Sequence, residues 1–84
     1  MNIEKVIKEF ESKNYIVALE DLNKLILKDP NSEEKFNLKG VILQLLNRSI
    51  EAKQSWQRAI EINIEYFDPY FNLGNLFMSE MNYD

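Results

Sequence analysis

Fourteen carboxylates, no histidine and no cysteine set the chemistry open to this chain. Without histidine, the commonest general base and the commonest zinc ligand are missing. Without cysteine there is neither a disulfide framework nor thiolate chemistry. Paired carboxylates remain. Glu33 and Glu34 stand at an expected helix start, where the positive end of the helix dipole accounts for them. Glu61 and Glu65 fall at and beyond a helix end, with no nucleophile or histidine beside them. Tyr15, Tyr66 and Tyr83 read as packing residues, and neither glycine lies in a glycine-rich turn that could hold phosphate. No catalytic, cofactor-binding or metal-ligating residue is assigned. The chemistry left is that of binding, and the expectation is a non-enzymatic protein with no cofactor.

The composition agrees. A chain that is 45% hydrophobic and 29% charged is globular rather than disordered, and two glycines with two prolines supply too few turns for an all-β fold. A net charge of −4 without a basic block argues against a nucleic-acid partner. The opening MNIEKVIKEFE lacks the continuous apolar stretch of a signal peptide, and Val41–Leu46 (VILQLL) is far too short to cross a bilayer. A soluble, cytoplasmic chain with no membrane partner is expected.

Apolar residues recur at helical spacing throughout. Ile3, Val6, Ile7 and Phe10 form one stripe; Tyr15, Ala18, Leu19, Leu22, Leu25 and Ile26 form a second. Asp29-Pro30-Asn31-Ser32 ends the second helix, with Ser32 an N-cap for a third over about residues 33–46. After a break at Asn47-Arg48, a fourth helix over 49–62 carries Ala52, Trp56, Ala59 and Ile60 on one face. Asp68 as N-cap and Pro69 at the first helical position open a fifth, ending near Glu80, with Asn82-Tyr83-Asp84 as a further break. The fold class is all-α: five helices joined by loops short enough to make neighbours antiparallel.

Laid against itself, the chain has a period of 34 residues. Phe36 pairs with Tyr70, Gly40 with Gly74, Leu43 with Phe77, Ala18 with Ala52, Leu22 with Trp56, and Leu25 with Ala59. Tyr70-x2-Leu73-Gly74-x2-Phe77, Ala52-x3-Trp56 and Ala18-x3-Leu22 followed by Pro30 together resemble the tetratricopeptide repeat. The resemblance covers one array over 1–84: a first repeat over 1–32, a second over 33–66, and the first helix of an incomplete third over 67–84. It implies helix hairpins stacked as a short right-handed superhelix. Gly40 and Gly74 are expected to let the two helices of a hairpin approach closely. Three departures stand out. Lys39 replaces a leucine, Ile64 replaces the closing proline, and Val6 takes the glycine position while Asn2, Lys5 and Glu9 take positions that are usually apolar. Ile3, Ile7 and Phe10 then fall one residue from the family register, and the first helix is expected to be rotated relative to the others.

The resemblance also implies a protein or peptide partner held in the concave groove. The groove positions carry over as Ile3, Ile7 and Phe10; Glu34, Asn37, Val41, Gln44 and Leu45; and Asp68, Phe71, Asn75, Met78 and Ser79. Ile7, Val41, Leu45, Phe71 and Met78 are expected to form an apolar stripe for an amphipathic helix or apolar segment, with Asn37 and Asn75 as hydrogen-bonding guides. The positions by which some relatives clamp a chaperone's C-terminal carboxylate hold Ile3, Ile7, Leu38, Asp68 and Asn72, with no cation, so that ligand is not expected. On the fifth helix Tyr70, Leu73, Phe77 and Met81 form a bare self-association face. Two alternatives follow: homodimerisation through that face, or an N-terminal adaptor cut from a larger protein such as a transferase.

Overall fold

The structure is a computed structural model that describes residues 2–81. Five helices follow one another: α1 (Ile3–Glu11), α2 (Tyr15–Lys28), α3 (Glu33–Leu45), α4 (Ser49–Ile62) and α5 (Asp68–Glu80). Each packs on the next, and α3 also touches α5. The fold is all-α, with the helices packed as hairpins. No described helix is long and apolar enough to cross a membrane. The expected break at 82–84 lies outside the described residues.

The helix ends follow from local chemistry. Asn2 and Ser32 cap α1 and α3, their side-chain oxygens accepting from the backbone N–H of Lys5 and Lys35 at 3.2 Å each. Asp68 is not the N-cap of α5. Phe67 takes that position without a side-chain cap, and Asp68 is the first helical residue, accepting instead from the Tyr66 hydroxyl at 3.2 Å. The other two loops share a device unseen in the sequence. Lys13 and Asn47, 34 residues apart, both adopt left-handed backbone, with φ of 64° and 62°. Asn14 N–H donates to Glu9 carbonyl and Lys13 N–H to Phe10 carbonyl; Arg48 to Leu43 and Asn47 to Gln44 repeat the pair. This is the Schellman closure of a helix C-terminus.

The core joins all five helices. Val6, Ala18, Leu19, Leu22, Ile26, Ile42, Leu43, Ala52, Trp56 and Leu76 form one buried cluster. The expected stripes of α2 and α4 are thus its inner faces. Gly40 performs the expected close approach: a Cβ there would stand 2.6 Å from Cδ1 and Cε2 of the Trp56 indole. Gly74 does not: among the described residues, a Cβ on it would meet nothing within 4 Å. On α1, Val6 is fully buried one period before Gly40, and Ile3 and Phe10 of the expected stripe pack against the core.

An ionic cluster joins α1 to α2. Lys5 Nζ lies 3.1 Å from Asp21 of α2 and 3.7 Å from Glu9, and Lys24 lies 3.9 Å from Asp21. The carboxyl groups are nearly enclosed, with side-chain exposures of 8% for Asp21 and 14% for Glu9. Removing Lys5 would take the closest cation from the enclosed Asp21 carboxylate, which is costly.

Candidate functional site

Val6 is fully buried, Ile3 packs against the core beside it, and Ile7 is partly exposed. Ile3 and Ile7 meet α3 at a recess of about 380 Å³, walled by Ile3, Ile7, Leu38 and Val41 and rimmed by Ser32, Glu34, Lys35, Asn37 and Tyr66. The volume falls in the range of ligand-sized pockets. Ile7 is 40% exposed, whereas Ile3, Leu38 and Val41 are half-buried and packed against the core, so they form a firm floor.

Most polar groups at the rim are already engaged within the chain. Ser32 Oγ caps α3, Lys35 Nζ pairs with Asp29 at 3.1 Å, and the Tyr66 hydroxyl donates to Asp68. Burial, reinforced by the hydrogen bond to the Asp68 carboxylate, pushes the Tyr66 phenol up to about 12. It therefore stays protonated and neutral at physiological pH. Asn37 Oδ1 accepts from Asn72 Nδ2 at 2.9 Å, which ties α3 to α5, so the expected guide is half committed to the scaffold. What the recess offers a visitor is mainly apolar surface, with Glu34 as an exposed charge at one edge.

The remaining expected groove residues do not line this recess. Gln44 is half-buried and Leu45 is 47% exposed near the end of α3. Phe71 and Met78 are 56% and 72% exposed on α5, and Asn75 is exposed beside them. Phe71 leans on Phe67 with ring centroids 6.0 Å apart. The expected apolar stripe therefore divides into Ile7 with Val41 in the recess and a separate exposed set on α5.

The self-association residues also separate. Leu73 is half-buried against the core. Tyr70, Phe77 and Met81 are exposed, although the Tyr70 hydroxyl donates to the Ile64 carbonyl at 3.0 Å and Lys53 Nζ sits 5.0 Å above the Phe77 ring. Ile64, in place of the closing proline, is itself 74% exposed. Sequence reasoning placed Leu38 only among the clamp positions, and it missed Tyr66 as a recess residue and Asp21 as a buried acid. Only Asp21 carried a usable signal: its counterpart one period on, Ser55, is also polar and also 6% exposed.

A second charged group, Lys5 and Glu9 of α1 with Asp21 of α2, lies outside the residues that line the recess. The Lys5 ammonium hydrogen-bonded to Asp21 holds the Asp21 carboxyl below its ordinary range. Burial, together with the adjoining Asp21 carboxyl, raises Glu9 above its own, and Glu9 Oε1 is buried without a hydrogen-bond partner. Nothing in this cluster faces a nucleophile. Among the described residues no group of acids is arranged to hold a metal ion.

No protein-family model matches the chain, and neither does any curated protein.

Proposed function

We propose that this chain is a tetratricopeptide-type interaction module that binds an apolar side-chain cluster of a partner peptide in the recess between α1 and α3. The 34-residue period and the stacked hairpins support the repeat reading. The recess supports the binding reading, and one observation carries it. Ile3, Ile7, Leu38 and Val41 come together at a mouth whose main hydrogen-bonding groups are occupied. Such a surface rewards shape and desolvation rather than charge pairing. The ligand is an amphipathic helix or short extended segment, with one or two large apolar side chains entering the recess. The role is binding, not catalysis.

The test begins with panning a displayed library of amphipathic helical peptides on the full chain. The affinity of a selected synthetic peptide is then measured for the wild type and for Ile7→Glu. Ile7 is partly exposed, so the substitution leaves the core intact. A buried apolar anchor replaced by a charge should weaken binding about tenfold or more. An unchanged affinity contradicts the assignment.

A further inference from the structure

The rim of the α1–α3 recess carries unmatched charge of one sign. Glu34 stands exposed at its edge, and Tyr66, on the same rim, donates its hydroxyl to the exposed Asp68 carboxylate at 3.2 Å. Glu33 precedes Glu34 in the first turn of α3. Among the described residues none of these three carboxylates pairs with a cation. Tyr66 registers all three: burial and the Asp68 hydrogen bond raise its phenol first, and the charges of Asp68, Glu34 and Glu33 raise it further. Lys35, the cation that lines the recess, is already paired with Asp29 at 3.1 Å, and its side chain is only 23% exposed. The dipoles of α3 and α5 suit each acid singly, but about half a charge per helix end leaves most of the negative charge unmatched. Two helix starts thus bring acids to one apolar mouth.

We infer that the recess selects basic amphipathic segments: its occupant is a partner peptide whose apolar anchor is flanked by lysine or arginine, the anchor filling the space beside Ile7 and Val41 while the cation meets Glu34 and Asp68. The inference rests on the binding role proposed above and adds its selectivity. Desolvation of the anchor supplies most of the affinity, and the exposed charges at the rim decide between partners. A segment with acids beside its anchor meets repulsion from the same carboxylates.

The probes are two labelled synthetic amphipathic helical peptides with the same apolar face, flanked in one by lysines and in the other by glutamates. Each is titrated with the full chain and followed by fluorescence anisotropy. The lysine peptide should bind about fivefold or more tightly than the glutamate peptide at low ionic strength. The gap should close at about 1 M salt, where the Debye length is about 3 Å. The chain's net charge of −4 attracts any cation, so two variants separate that pull from the recess. Glu34→Gln and Glu20→Gln change the net charge equally, but Glu20 is an exposed α2 residue outside the recess lining. Glu34→Gln should cut the preference about threefold and Glu20→Gln should leave it. An equal change in the two variants would overturn the inference. Equal affinity for the two peptides, abolished by Ile7→Glu, would overturn the selectivity while leaving the recess as the binding site. Binding of neither peptide at millimolar concentration would overturn it too, as would a homodimer that already covers Ile7.

Discussion

Trp56 and Gly40 form a single packing unit: the indole occupies the volume a Cβ on residue 40 would need, and its N–H donates to the carbonyl of Asn37. Gly74 holds the same place in the period with no described residue within 4 Å of a Cβ built on it. Identical residues at equivalent positions should therefore respond oppositely to the same substitution.

Alanine at position 40 forces the buried indole or the helices apart, an overpacking cost of about 1–3 kcal/mol that outweighs the better helix propensity of alanine. Alanine at position 74 meets open space and should stabilise by about 0.5–1 kcal/mol. For a chain of this size, 1 kcal/mol moves Tm by roughly 4–8 °C, so thermal unfolding resolves both signs. Two variants that shift Tm in the same direction would contradict the packing described.

The first hairpin solves the same problem with different volumes. Val6 replaces the glycine and Leu22 replaces the tryptophan, and both are fully buried. Val6→Gly should open a void and Leu22→Trp should overfill the site, each destabilising. Combined, they recreate the Gly40–Trp56 pairing, and the cycle should show a favourable coupling of about 0.5–3 kcal/mol. Strict additivity in urea unfolding would mean that residues 6 and 22 do not share a site.

The ionic cluster makes stability depend on pH in two opposed ways. Glu9 is raised from its ordinary value of 4.5, so the folded chain holds its proton more tightly than the unfolded chain. Its stabilising contribution is full below the unfolded value and is lost as pH rises through the folded one. Glu9→Gln should accordingly be more stable than wild type at about pH 7, with the advantage shrinking towards about pH 4. Asp21 is lowered from 3.8, so its contribution is present above that value and is lost as pH falls through the folded pKa. Asp21→Asn should therefore be less stable than wild type at about pH 7. Urea midpoints across this range check both signs.

Lys13 sits in left-handed backbone between α1 and α2, a conformation that costs a side-chain-bearing residue about 1–2 kcal/mol. Lys13→Gly removes that cost but loosens the unfolded chain, for a net gain of about 0.5–1 kcal/mol. Lys13→Val should lose stability, since β-branching makes positive φ harder still. Denaturant midpoints that rank valine above glycine would contradict the Schellman closure.

Much of this architecture was legible because small residues carry period information. Gly40, Ala18, Ala52 and Ala59 mark helix contact points that a generic amphipathic pattern would not fix. The ion cluster was not legible, because no spacing rule shows that Lys5 and Glu9 of α1 will meet Asp21 of α2. The recess was half legible for the same reason. Ile7 and Val41 follow from the groove positions, whereas Tyr66 enters through a loop whose course depends on Asn63 and Ile64 rather than on a helix period.

The central claim is that the α1–α3 recess receives a partner's apolar side chains. Its most direct test is an amide NMR titration of the labelled full chain with a peptide selected by panning. The account predicts saturable shifts concentrated at Ile3, Ile7, Leu38, Val41 and Tyr66, and their loss in Ile7→Glu. A bound peptide whose shifts lie elsewhere and persist in Ile7→Glu would contradict it.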